Sequence, residues 1–410
     1  MYQSNEDTFA NVAAQQLAQL GAHPTYDKEQ FALFVKNDLG IVTQRINLST
    51  FYHQYCESTS IEERNSVFAH IVSMHQRSLE REMPTFDAAR DRIYPHIKDM
   101  WAVEQLNLEM RLGKWGAFAE EAWIPCCAIA GSFALTLEHD KPDTRELVTS
   151  LNIDRWGVDF NQLVLESVER LALRTHFAFY ATDLNESGSK LYQSSWNDGY
   201  DAARIMMASV FDFLKVMGQH IFVMPNSETF LITGSEDPLG LFVAASYAEG
   251  AQDEPKPLPP IPLMLDEERG FMEAIIPPND PAHKVFAQLK LQYFDRIYAA
   301  QKELLRQFPE VQSDERYVST FMALQDDHGN LSSESTITEG VPTWLPKTDR
   351  IAFVRIRNGE AELQAVGEWD TVAKICPDLL QPCEVTSYPP RFEVNNFPTN
   401  FQIARINQSY

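Results

Sequence analysis

The densest group of chemically capable side chains is the run Trp196-Asn197-Asp198-Gly199-Tyr200-Asp201-Ala202-Ala203-Arg204. It sets two carboxylates, a guanidinium and two aromatic rings close together. The Asn-Asp-Gly triplet is turn chemistry, because glycine takes positive φ without a Cβ clash. The turn opens into Tyr200 to Met217, whose pattern predicts a helix. A helix start presents bare amides and a partial positive charge. Two readings compete. In the architectural one, Asp198 or Asp201 caps the helix, Gly199 permits the bend, and Arg204 pairs with Asp201 one turn on. In the functional one, the strand-to-helix corner holds a ligand. Asp198 or Asp201 is then an acid/base group or cation ligand, Arg204 holds an anion, and Trp196 or Tyr200 stacks on it, with Asn197 in the same set. The carboxylates compete for the helix terminus, which disfavours phosphate there.

Other self-sufficient catalytic patterns are missing from the sequence. It has no GxGxxG, no GxxxxGK[ST], no GxSxG and no HExxH. The histidines are scattered. His70 and His75 are five apart, which puts their rings on different faces of a helix. The five cysteines include no CxxC pair, and the adjacent Cys126 and Cys127 do not easily bridge to each other. Reduced, mostly buried thiols are expected, and neither a metal nor a cofactor is implied. Tyr94-Pro95-His96, Met224 to Glu228 and Gly234 to Pro238 read as structural, the last as a helix start.

The elements that must position these residues are those of an α+β chain. A helix is expected over Asp7 to Leu20 and a hairpin over Phe31 to Asn47, turning at Asn37 to Gly40. A short helix capped by Ser49 or Thr50 follows, then a helix over Ile61 to Leu79. Beyond Pro84 come β-like Ile124 to Glu138, an amphipathic helix from Phe160 to Leu173, a strand at His176 to Thr182, a strand pair over Ile221 to Thr233, and a helix from Asp237-Pro238. Asp253 to Pro262 holds five prolines and must be extended. It reads as a stiff strap on the protein's own surface. A long helix is expected over Pro281 to Phe308. Strands at Phe321 to Leu324, Ile351 to Val354 and Ala361 to Val366, a turn at Asp327 to Asn330 and a helix at Trp369 to Leu380 complete the chain. The 410 residues exceed one typical core. The division expected is a helix-hairpin-helix module over 1–84, a mixed α+β domain over 85–265, a long helix and connection over 266–314, and a strand-rich domain over 315–410.

Several stretches resemble a known group. Asp91 to Ile97, then Ile153-Asp154-Arg155-Trp156-Gly157-Val158, then Asn197 to Ile205, then Phe222 to Asn226 through Phe230 to Ile232 occur in that order. Over roughly residues 25–265 the chain is similar to the DUF1444 group, also called UPF0354 or YtpQ-like proteins of bacteria. The resemblance implies a bacterial cytoplasmic protein and a domain, but no reaction. It does not extend past about Gly270.

The formal net charge is −24, from 58 acidic and 34 basic residues. That sign argues against nucleic acid and against an anionic membrane surface, and it favours a basic protein partner. The first residues carry no basic and apolar leader pattern, and no apolar run approaches ~20 residues, so a soluble cytoplasmic protein is expected. The function this composition favours is a non-catalytic protein-binding role: an adaptor, a chaperone-like protein or a neutraliser of a basic toxin. The alternative is an enzyme or small-ligand-binding protein using the Asn197–Arg204 corner.

Overall fold

The computed structural model describes residues 6–28, 30–36, 42–79, 84–114, 122–141, 145–254, 256–313, 315–326 and 328–409. The expected turns at Asn37 to Gly40 and at Asp327 fall wholly or partly outside them. The chain is a mixed α+β protein with five sheets among the described residues.

Near the N-terminus, apolar periodicity produces helices Glu6–Ala18, Ser49–Glu57 and Ile61–Leu79. They pack on an antiparallel sheet of His23–Asp27, Ala32–Lys36 and Val42–Asn47. Phe9, Leu17, Leu33, Ile46 and Ile71 form the shared core. The first of these strands was not expected. Neither Ser49 nor Thr50 caps its helix; the capping position falls on Leu48, which makes no side-chain bond.

The next layer is centred on strand Phe133–Asp140. Ile93–Asp99 runs antiparallel along one side of it, while Cys127–Ile129 and Arg145–Leu147 pair along the other. The period-two alternation of a strand places Tyr94, His96 and Lys98 on one face. Asp99 then starts helix Met100–Arg111 by accepting the Trp101 amide at 2.8 Å.

A six-stranded antiparallel sheet follows. Its order is Gly270–Glu273, Leu263–Asp266, His220–Asn226, Thr229–Gly234, Lys190–Ser194 and Phe179–Asp183. Helices Pro238–Ala251 and Pro281–Leu305 contribute to the core on one face. Asp237 caps the first, accepting from the Gly240 amide at 2.8 Å, and Asp280 caps the second. Among its described residues the proline strap forms no helix or strand before Leu263, and its own Leu258 and Ile261 are buried.

The C-terminal strands form two four-stranded sheets with helices Trp369–Ile375 and Asn400–Ser409. The long helix Pro281–Leu305 reaches both regions. Tyr293 donates to Asp99 at 2.6 Å, and Gln301 donates to Thr386 and to the Pro389 carbonyl at 2.8 Å.

One element differs in kind from expectation. Tyr200 to Met217 is not an α-helix; Ala202–Phe211 is a 3₁₀ segment interrupted at Met207, whose φ is −116°. The Ala202 amide is drawn to the Ser227 carbonyl at 3.2 Å. A tertiary hydrogen bond and burial override local helical preference there.

Candidate functional site

The corner is built tightly around its own charges. Asn197 takes φ +51° and Gly199 φ +75°, so the chain reverses sharply before Tyr200. Asp198 folds back to accept the Tyr200 amide at 3.1 Å. Its two oxygens also receive Arg204 through a bidentate pair at 2.9 and 2.7 Å. Arg204 is 0% exposed. Its Nε donates to Thr175 at 3.0 Å, and its guanidinium lies 4.2 Å from the Trp196 ring centroid. Trp196 in turn donates to the His176 carbonyl at 2.7 Å.

Arg204 therefore pairs with Asp198 and not, as expected, with Asp201. The turn brings Asp198 back over the segment that carries Arg204, and its two oxygens take both ends of the guanidinium in place of Asp201. Asp201 occupies the capping position but makes no cap bond. It is fully buried, and no donor meets either oxygen in good geometry. Burial raises its pKa; Ser194 and the Asn197 amide lie near enough to oppose this only in part. Asn197 is exposed, its side chain only reaching the Ser195 carbonyl at 3.4 Å. Tyr200 is buried with the Arg145 guanidinium 4.4 Å over its ring and Tyr94 5.2 Å away. A Cβ at Gly199 would collide with that arginine.

A second constellation lies behind Tyr200 and draws on distant parts of the chain. The His96 ring is 6.3 Å from the Tyr200 ring, and His96 also lines a cleft of about 510 Å³. Arg45 and Asn47 enter this cleft from the N-terminal sheet, and Lys98 and Asp99 from the end of the Ile93–Asp99 strand. Trp101, Gln105 and Leu106 contribute from the following helix, Lys256 to Leu258 from the proline strap, and Arg296 from the long helix. Clefts of this size at the junction of several units are where small ligands usually bind.

Four cations line the cleft of a chain whose net charge is −24. Two are neutralised from behind: Arg45 meets Glu109 and Lys98 meets Glu138, each at 2.7 Å. Among the described residues, no carboxylate lies within ion-pairing distance of Lys256 or Arg296. Arg296 faces the Tyr293 ring at 5.8 Å and acts on Asp99 only through longer-range charge.

The titratable groups here have shifted in ways that follow from burial. Burial lowers His96 to about 4, against the pull of Glu138, so its imidazole is neutral near pH 7. Its Nδ1 lies 3.0 Å from the Ile97 carbonyl, which assigns the proton to Nδ1 and leaves Nε2 as an acceptor. Burial would raise Glu138, but the neighbouring charges, Lys98 foremost with Arg145 among them, together outweigh it and hold the carboxylate ionised. Burial lifts Asp99 to about 6, although Tyr293, the Trp101 amide and Arg296 all favour its anion. Burial and Lys98 lower Lys256.

Sequence reasoning passed over the cleft. His96 was seen in Tyr94-Pro95-His96 but read as structural, and Lys256 was seen only as part of the strap. A lysine lodged between prolines was the one local signal. Among the described residues no group of three His, Cys, Asp or Glu side chains is placed to hold a metal ion, and no helix is long and apolar enough to cross a membrane. No protein-family model, no curated protein and no solved structure matches the chain.

Proposed function

We propose that the protein binds a small organic anion with an apolar body in the cleft between His96, Lys98, Lys256 and Arg296. The observation that carries this is the pair Lys256 and Arg296, which line one cavity in a strongly acidic chain and, among the described residues, have no carboxylate within ion-pairing distance. An anionic group would satisfy both, and Trp101, Leu106 and Leu258 supply apolar wall for the rest of the molecule. This favours the small-ligand expectation and moves its centre from the corner to the cleft. Membership of the DUF1444 group and a cytoplasmic setting belong to the same proposal, supported by the ordered sequence stretches and by the acidic composition.

The test is calorimetric titration with pyridoxine 5′-phosphate and with naphthyl phosphate. Arg296→Met should weaken binding about tenfold, the loss expected for one charge-assisted contact. Absence of binding by both compounds, or an affinity indifferent to Arg296→Met, overturns the proposal.

A separate observation favours protein binding as a second reading. Phe177, Tyr180 and Phe213 are each more than half exposed, beside Phe179–Asp183, the outer strand of the six-stranded sheet. An open strand edge flanked by exposed rings suits addition of a partner's strand. Ala181→Pro would remove a backbone donor from that open edge, since the even-numbered residues of the strand bond inward to Lys190–Ser194, and should abolish capture of such a partner; undiminished capture counts against it.

A further inference from the structure

We infer that Lys256 is a nucleophile that forms an imine with a carbonyl group on the organic anion held in the cleft. The inference rests on the ligand-binding reading above and adds the substrate class: an anion that also carries an aldehyde or ketone.

The backbone supplies the first argument. Lys256 sits at φ +61°, a region costly for a residue with a side chain, and it precedes Pro257, which restricts it further. Its surroundings hold it there. The next free amide, that of Leu258, donates to the Pro225 carbonyl at 2.9 Å, and the Leu258 side chain is buried. Strain maintained in this way concentrates at functional positions. Here it places one lysine amine among the lining groups of the cavity.

The neighbours supply the second argument. The residue as a whole is exposed on the strap, but its amine is enclosed enough for burial to disfavour the charged form, and Lys98 on the cleft floor adds to the effect. A lysine beside a second cation is a recurrent way to keep an amine nucleophilic. The two lysines differ in role because Lys98 is held in an ion pair with Glu138 at 2.7 Å, while Lys256 has no such partner among the described residues. His96 contributes a neutral ring at the same cavity, its acceptor Nε2 lying 3.8 Å from the Glu138 carboxylate.

The chemistry balances without an oxidant or reductant. The lone pair of the Lys256 Nζ attacks the carbonyl carbon, and the carbonyl π pair moves to oxygen. The resulting carbinolamine loses its oxygen as water, carrying both amine protons, and a carbon–nitrogen double bond remains. His96 Nε2 is available to carry a proton from nitrogen to oxygen.

The experiment compares pyridoxal 5′-phosphate, which has an aldehyde, with pyridoxine 5′-phosphate, which does not. Full-length protein is mixed with each, scanned for the visible imine band, reduced with borohydride and mapped by peptide mass spectrometry. Pyridoxal 5′-phosphate should give the band, with most of the label on Lys256. Lys256→Arg should lose band and label while keeping its melting temperature, and the unchanged protein should bind pyridoxine 5′-phosphate without giving the band. Label spread over surface lysines, or placed on Lys98 with Lys256 untouched, overturns the imine and leaves anion binding standing if pyridoxine 5′-phosphate binds. Failure of both compounds to bind sinks both proposals.

Discussion

Asp99→Asn should stabilise the protein progressively as pH rises through 4 to 6. Asp99 is held in the folded chain at about 6 against an ordinary value of 3.8, so the folded state binds its proton more tightly than the unfolded state does. Its contribution is therefore neutral below about 4, becomes a growing cost as pH climbs from 4 to 6, and is constant above that. At about 1.4 kcal/mol per pH unit, that interval amounts to about 3 kcal/mol. Asparagine reproduces the neutral acid: its oxygen still accepts from the Trp101 amide and from Tyr293, which meet Asp99 at 2.8 and 2.6 Å. His96 works with the opposite sign. Its folded value of about 4 lies below the ordinary 6.5, so the unfolded state takes the proton first and stability is lost as pH falls from 6.5 to 4. That loss is again about 3 kcal/mol. In the native protein the two nearly cancel, and each single variant exposes the other. Urea unfolding at pH 4, 5, 6 and 7 measures both: Asp99→Asn should gain on the native protein with rising pH, and His96→Gln should gain with falling pH. A stability difference for Asp99→Asn that stays constant across this range would refute the reasoning, because it would mean that Asp99 titrates alike in both states.

The corner yields two further predictions. Asp198→Ala strands a fully buried guanidinium and should cost about 3–5 kcal/mol in urea unfolding. Arg204→Met should cost less, since the abandoned Asp198 is 23% exposed and can take up water; the reverse order would contradict the assignment. Asp201→Asn should leave stability at pH 7 unchanged or raise it, because the acid makes no cap bond and is buried without a well-placed donor; a thermal midpoint lowered as by loss of a cap, about 0.5–2 kcal/mol, would restore the capping role.

Where the sequence was legible, one local rule sufficed. Asp237-Pro238 and Asp280-Pro281 announce helix starts because an acid at the cap and a proline in the first turn need only neighbouring backbone. The proline run could only be extended. The paired strands His220–Asn226 and Thr229–Gly234 follow from two apolar runs about a polar turn. Reading failed where a distant partner decided the outcome. Ala202 gives its amide to Ser227, so the expected helix winds as 3₁₀, and Arg204 then meets the wrong acid. The cleft was hidden for the same reason. Arg45, His96, Lys256 and Arg296 come from four elements far apart in the chain, and each alone is an unremarkable surface or strand residue. A net charge of −24 also gives no sign that Arg45, Lys98, Lys256 and Arg296 gather at one cleft.

The two constellations are best understood through what each leaves unsatisfied. In the corner every charge of Asp198 and Arg204 is met by the other, by Thr175 or by backbone, and the Trp196 ring covers the guanidinium. What the corner leaves unmet is Asp201, buried without a well-placed donor at either oxygen. Arg145 instead extends the corner toward the cleft: it donates to the carbonyls of Asp198 and Gly199 at 2.7 and 3.2 Å and lies over Tyr200, which packs behind His96. Its charge also helps keep His96 neutral and Glu138 ionised. The dense motif that first draws the eye thus backs a wall, and on the far side of that wall Lys256 and Arg296 line the cleft with no carboxylate in ion-pairing distance among the described residues. Density of functional groups marks where a chain must be held in shape; an unmet charge beside an empty volume marks where it can hold something else.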